Sequence, residues 1–238
     1  VEEVNSLAHQ IAELNQQIAT LEVKGGNAND YRDRRDALLD RLATLLDIQV
    51  TDEGNGMVMV SVGGKTLVTH GDVVELDTES VSRGGMEVLE IVWADDGSVA
   101  GIEGGELKGL LEARDTIIPR YQDRLDELAS TLIEEVNSIH RQGYGLADSG
   151  GSPPTGNDFF AGTDARSITL AQPILDDIRN IAASRDGSPG DNGVAMDILN
   201  LRDELTMSDG TSTFNDYYGI TVDVLGVESR NCLLYTSD

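Results

Sequence analysis

Apolar residues stand at positions 4, 7, 11, 14, 18 and 21 as Val4, Leu7, Ile11, Leu14, Ile18 and Leu21, an unbroken alternation of threes and fours. That spacing fits one stripe of an α-helix and no strand, so the chain opens with a helix built to lie along another helix. Glu3, Asn5, Gln10, Glu13, Asn15, Gln16 and Gln17 fill the positions between and read as the water-facing side. At about 1.5 Å per residue, Glu2 to Val23 makes a rod of about 33 Å. Such an opening points to an assembly part rather than a catalyst.

Lys24-Gly25-Gly26 carries helix stop signals, and Asn29 or Asp30 supplies a cap for a second helix. That helix repeats the stripe through Tyr31, Leu38, Leu42 and Leu45, backed by Leu39 and Leu46. The short connection predicts an antiparallel hairpin over residues 1–47. At Ile48 the period falls to 2, through Ile48 and Val50, Met57 to Val62, Thr66 to Thr69, Val73 to Leu76 and Glu87 to Trp93. Asp95-Asp96-Gly97 is a turn signal before a return over Ser98 to Ile102, so residues 48–103 read as one small antiparallel sheet.

Helical spacing resumes over 104–146 with Leu111, Ile118, Tyr121, Leu125, Leu128, Leu132, Val136 and Ile139. Pro119 removes a backbone donor and predicts a kink or break near Ile117. Residues 147–193 are rich in Gly, Ser, Asp and Pro, with a loop at Ser149 to Gly156 and short strand-like pieces at Ser167 to Leu170 and Ile178 to Ala183. Residues 194–230 hold two helices. One runs from Val194 to Leu205; the other, capped by Thr213 or Asn215, carries Tyr217, Tyr218, Ile220, Val222, Val224 and Leu225.

Residues 231–238 share no pattern with what precedes them and resemble a translated sequencing adapter, so they are set aside as a non-native tail. Val1 is not an initiator Met, and the chain reads as an internal fragment open at both ends. The expected fold class is α+β: an elongated antiparallel, coiled-coil-like bundle closed by helices from both flanks, with the sheet as an inserted lobe.

The formal charge of −26 argues against nucleic acid, whose binders need a basic stripe, and against anionic membrane surfaces. Cys232 is the single cysteine and falls in the tail, which leaves no disulfide, Cys zinc site or Cys nucleophile in the first 231 residues. Hydrophobic content of 39% supports a core, largely aliphatic because only three Phe and one Trp are present.

Gly63-Gly64-Lys65-Thr66 has the flavour of a phosphate loop, but Met59 stands where the motif needs Gly and no helix follows, so a hairpin turn is the better reading. His9, His70 and His140 lie far apart, and neither HExxH nor a calcium-loop spacing occurs. The sequence nominates no catalytic, cofactor-binding or metal-ligating residue. Its candidate functional residues are the stripe positions Val4, Leu7, Ile11, Leu14, Ile18, Leu21, Leu38, Leu42, Leu45, Leu111, Ile118, Leu125, Leu128, Leu132 and Ile139. They serve either as the core of a monomeric bundle or as contacts between subunits, and both uses fit the pattern.

Collinear strings then bring in a family. Ile11-Ala12-Glu13-Leu14-Asn15-Gln16-Gln17-Ile18, Arg34-Arg35-Asp36-Ala37-Leu38-Leu39-Asp40 and Gly104-Gly105-Glu106-Leu107-Lys108-Gly109-Leu110-Leu111 come first. Val136-Asn137-Ser138-Ile139-His140-Arg141-Gln142-Gly143-Tyr144, Asp158-Phe159-Phe160, Ile181-Ala182-Ala183-Ser184 and Thr213-Phe214-Asn215-Asp216-Tyr217-Tyr218 follow in order. Together they resemble the flagellar hook-associated protein 1 family over about residues 1–228.

The resemblance implies a structural protein of the hook–filament junction, outside the cell and exported without a cleaved signal peptide. It implies as partners copies of itself in a ring, the hook protein, the second junction protein and an export chaperone. With no site motif the expectation is no enzyme and no cofactor, and the charge already speaks against nucleic acid and membrane as partners. A different rod-like filament or adhesin-type protein is the competing reading, with an acidic cation-binding or hydrolytic domain as a third.

Overall fold

The computed structural model describes residues 1–83, 86–148 and 151–235. Helix α1 (Glu2–Val23) and helix α2 (Asn29–Leu45) form the expected hairpin. Gly25 takes φ +78, its N–H meets the Glu22 carbonyl at 2.9 Å, and the Gly26 N–H meets the Leu21 carbonyl at 3.0 Å. This pair of bonds caps the helix end, and only glycine adopts the left-handed turn without strain. The start of α2 departs from expectation. Ala28 holds the cap position, and Asn27 Oδ1 accepts from the Asn29 N–H at 3.0 Å, so neither Asn29 nor Asp30 caps.

Strands β1 (Ile48–Gly54), β2 (Met57–Val62), β3 (Lys65–Thr69) and β4 (Asp72–Val73) form an antiparallel meander in the order β1-β2-β3-β4. Val58, Val60 and Val62 of β2 point into the core, the period-2 pattern of a sheet covered on one face. Gly63 and Gly64, at φ +56 and +81, make the two-residue turn between β2 and β3 that right-twisted hairpins favour. The phosphate-loop look-alike is thus a hairpin turn.

The single sheet expected over 48–103 is two. Strands β5 (Leu76–Arg83) and β6 (Met86–Trp93) form a second, two-stranded sheet, from Leu76↔Trp93 to Arg83↔Met86. The return over Ser98 to Ile102 amounts to a bridge between Val92 and Val99 and the bond from the Ala100 N–H to the Ile91 carbonyl. Lys65 Nζ links the sheets, 2.7 Å from Asp95, 2.8 Å from Asp96 and 5.0 Å over the buried Trp93 ring. The Lys65 ammonium and the Ser98 donors hold the Asp96 carboxyl well below the usual carboxylate range.

The strands do not stand apart as an inserted lobe. Val60, Val62, Leu67, Val68, Leu76 and Trp93 share one core with Val4, Leu7, Ile11, Leu42 and Leu46 of the hairpin. Helix α3 (Gly105–Glu112) packs on α2. It approaches closely because Gly105, at φ +79, lies where a Cβ would sit 2.6 Å from the Leu45 carbonyl.

The disruption expected near Ile117 takes the form of a π-helical stretch, Ala113–Ile117, after which helix α4 (Ile118–His140) begins with Pro119 in its first turn. The wider turn accommodates the proline ring and its missing donor. The contacts divide the chain into two compact units, Val1–Thr116 and Ile117–Asp238.

In the second unit α4 packs with helix α6 (Gly193–Asn200), helix α7 (Phe214–Tyr235) and strand β7 (Phe160–Ala161), which pairs with β8 (Thr169–Leu170). Helix α5 (Gln172–Asp176) leads to a 3₁₀ turn at Ile178–Asn180, where a strand-like piece was expected. Asp177 caps that turn by accepting from the Arg179 N–H at 2.9 Å. The helix expected over Val194 to Leu205 stops at Asn200 and tightens into a 3₁₀ turn, Leu201–Asp203. Thr213 and Asp216 cap α7 reciprocally: Thr213 Oγ1 accepts from the Asp216 N–H at 3.1 Å, and Asp216 accepts from the Thr213 N–H at 3.3 Å. Of the segment set aside as a tail, Asn231–Tyr235 continues α7 and 236–238 lie outside the described residues, as do 149–150 of the expected loop.

Candidate packing surfaces

The stripe positions fare differently along the chain. In α1, Val4, Leu7, Ile11 and Ile18 are buried, whereas Leu14 and Leu21 are half-buried. The buried face also takes in Ala8, Ala12 and Asn15. It is therefore the broad stripe of a core helix rather than the narrow seam of a two-stranded coil. Its neighbours are α2 on one side and β2, β3 and β4 on the other. Leu42 and Leu45 of α2 are buried, and Leu38 and Leu111 are half-buried beside them.

Helix α4 turns a different face inward: Ala129, Ile133, Val136, Asn137 and His140. The stripe positions Leu128, Leu132 and Ile139 are half-buried at its edge, while Ile118 and Leu125 are 54% and 45% exposed. Against α4 lies α7, held by its less exposed positions Tyr217, Thr221, Val224 and Glu228. Arg120 meets Glu228 at 2.6 Å, Tyr121 donates to Glu228 at 2.8 Å and Tyr217 donates to Glu127 at 2.5 Å, so the two helices run antiparallel. Burial, with the bond to Glu127, pushes the Tyr217 hydroxyl up to about 12. The remainder of α7 leaves Ile220, Val222, Leu225 and Val227 about half exposed, between 47% and 56%. At about 100° per residue, Val222 and Leu225 share one side of α7 and Ile220 and Val227 the other.

Three asparagines tie helices to strands in a way that polarity alone conceals. Asn15, fully buried, donates Nδ2 to the Val58 carbonyl at 2.7 Å and accepts from the Val58 N–H at 3.2 Å. Asn5 treats Leu76 the same way, at 2.8 and 3.0 Å. Asn137 treats Phe160 the same way, at 2.9 Å both ways, and also accepts from the Phe159 N–H. Each amide completes both backbone groups of one strand residue, as a neighbouring strand would. Buried Arg35 joins the Asn15 group, donating to Asn15 Oδ1 at 3.2 Å and the Gly56 carbonyl at 2.7 Å.

The histidines stay apart. His9 pairs with Glu75 at 2.6 Å on the surface, and exposed His70 occupies a left-handed turn. His140, expected on a polar or interface side, is instead 1% exposed. Its Nδ1 lies 2.7 Å from the Asn157 carbonyl, and its Nε2 accepts from the Ala182 N–H at 2.8 Å, which fixes the neutral ring with the proton on Nδ1. Among the described residues no group of His, Cys, Asp or Glu is arranged to hold a metal, and no helix is long and apolar enough to cross a membrane.

Two apolar cavities flank this part of α4. One of about 380 Å³ is lined by Leu132, Val136, Phe159, Phe160, Ile181 and Ile198, among others. A second of about 540 Å³ shares Leu132, Val136 and Ile198 and continues past Leu128 to Phe214 and Tyr218.

Comparison with known proteins gives one answer. The family model described as "Flagellar hook-associated protein FlgK helical domain" matches residues 1–160. Flagellar hook-associated protein 1 of Bacillus subtilis (strain 168) is 29% identical over 268 residues, covering 96% of this chain and 52% of that protein. The protein of that name from Escherichia coli (strain K12) is 27% identical over 170 residues, covering 68% of this chain and 30% of that one. A solved structure, that of the flagellar hook junction protein FlgK from Burkholderia pseudomallei, aligns with a TM-score of 0.55 at 29% identity, over 67% of this chain and 29% of that chain. The chain thus spans about half the length of the Bacillus relative. With the family match running through 160 of 238 residues, the chain belongs to the flagellar hook-associated protein FlgK helical-domain family.

Proposed function

We propose that this chain is a structural part of the hook–filament junction of a bacterial flagellum and works by helix packing rather than by catalysis. The family match over residues 1–160 carries the reading. The half-exposed apolar positions Ile118 and Leu125 of α4 and Val222 and Leu225 of α7 supply a means, because an assembly part needs apolar surface left over after folding. In this reading copies of the chain form a ring, with the hook protein and the second junction protein above and below. An export chaperone covers the apolar surface before assembly, and the finished part lies outside the cell.

A formal charge of −26 keeps unassembled copies apart, while within the assembly charges more than about 8 Å apart are screened at physiological salt. Deleting the gene in its source organism tests the reading. Cells with intact hooks but no attached filaments, restored by the full-length gene, are the expected outcome. Filaments that remain attached would contradict the assignment and favour a different extracellular filament or adhesin.

A further inference from the structure

Helix α4 ends on His140, whose ring joins three parts of its unit. Nδ1 donates to the Asn157 carbonyl at 2.7 Å, and Nε2 accepts from the Ala182 N–H at 2.8 Å. The ring thereby ties α4 to both ends of the excursion over residues 157–182, which carries β7, β8, α5 and the 3₁₀ turn at Ile178–Asn180. It stands edge-on to Phe159, 5.4 Å between centroids, and shares the wall of the cavity of about 380 Å³ with Ile181, Ala182 and Ala183.

This pair of bonds exists in one protonation state. A backbone N–H can only donate, so Nε2 has to keep its lone pair. A second proton sets N–H against N–H across the Ala182 contact, and a donor is left unpaired inside an apolar wall. Among the described residues, no other group lining the cavity titrates. The charges on the surrounding elements are engaged elsewhere: Arg141 with Asp158, Arg179 with Asp177 and Asp148, Arg185 with Asp197. On α4 itself Glu134 is exposed, and Glu135 lines a different cleft beside Arg185. Asp176 of α5 is exposed, and Tyr144 lies beside Gly187. None of these carboxylates is bonded to the ring.

The neighbouring attachments do not depend on a titrating group. Asn137 binds the Phe159 and Phe160 N–H groups, and the Tyr144 backbone binds Ser184. Loss of the imidazole bond is therefore confined to the ring's own partners, Asn157 and Ala182.

We propose that His140 is an acid-released fastener: uptake of a second proton frees Ala182 from the end of α4 and opens the apolar cavity behind it, while Asn137 keeps β7 in place. Acidic surroundings then expose apolar lining that neutral ones keep covered. The proposal holds whether or not the chain serves at the hook–filament junction.

The test follows the 238-residue chain by NMR from about pH 8 to about pH 5, which brackets the range in which imidazole ordinarily takes up its proton. It reads the His140 ring signals and hydrogen exchange at Ala182, Phe159 and Phe160, corrected for the intrinsic pH dependence of exchange. Protection at Ala182 is expected to fall at least about tenfold in step with the His140 titration, and that at Phe159 and Phe160 by less than about twofold. His140→Gln takes up no proton and is expected to abolish the step at Ala182. Where His140→Gln does not fold, the chain carrying His9→Gln and His70→Gln decides instead, because His140 is then the one histidine left and the step has to persist. Ala182 protection that stays level over this range would overturn the proposal. So would an equal fall at Phe159 and Phe160, a step retained in folded His140→Gln, or a step lost with His9 and His70.

Discussion

The two units use the same kind of sequence pattern to opposite ends. In residues 1–116 the apolar stripe of α1 is spent on folding: α2 covers one side of it, the four-stranded sheet covers the other, and Ile11 and Ile18 retain no exposed surface. In the unit from Ile117 onward, α7 meets α4 through Tyr217, Thr221, Val224 and Glu228. The two helices leave Ile118, Leu125, Val222 and Leu225 about half exposed. A stripe with a sheet to lie on becomes core, and one without becomes a surface available to a partner. Heptad spacing does not distinguish these fates, because it reports an apolar face and not what covers it.

Stability measurements test that contrast. Leu42→Ala empties a fully buried site in the first unit and is expected to cost about 2–5 kcal/mol in chemical denaturation. Asn15→Ala leaves the Val58 backbone groups unpaired beside buried Arg35, for an expected loss of about 2–3 kcal/mol. Asn137→Ala removes the equivalent bonds to Phe159 and Phe160, with about 1–3 kcal/mol expected. Hydrogen exchange at those two amides should rise more than exchange across α7.

Tyr217 gives a pH signature. Its hydroxyl titrates near 10 when unfolded and near 12 in the fold, so the neutral form is favoured by folding. Its contribution is whole below pH about 10 and fades as pH rises towards about 12, and Tyr217→Phe should flatten that alkaline loss in a stability-versus-pH profile. Smallest of all, Leu125→Ser at a 45% exposed position should change stability by no more than about 0.5 kcal/mol. A loss as large as that of Leu42→Ala would mean that the α4 stripe is core after all.

Much of this was legible in the residues, and what was not has specific physical reasons. The α1–α2 hairpin, the glycine stop after it, the turn at Gly63-Gly64 and the site of the break near Pro119 follow from spacing and backbone chemistry. Strand β5 escaped because Asp77, Thr78, Glu79 and Ser80 give it no apolar alternation, and it is a strand only through its pairing with β6. The 3₁₀ turns at 178–180 and 201–203 lie in short apolar pieces whose period is too brief to read.

Asn15 looked like surface because it is polar, yet it stands four residues after Ile11 and one after Leu14, inside the arc that a core helix buries. Asn137 holds the same relation to Ile133 and Val136. An amide within an apolar arc is a signal for a strand-completing bond that a reading by residue type passes over. His140 was hidden in the same way, three residues beyond Asn137 on the buried face of α4.

The exposed apolar residues of α4 and α7 are proposed to serve assembly rather than folding. The direct measurement is Leu125→Asp together with Val222→Asp in the full-length gene, read by thermal unfolding of the purified protein and by electron microscopy of the cells. The account predicts a midpoint within a few degrees of the parent and hooks that lack filaments. A normal midpoint with filaments attached as in the parent would contradict it.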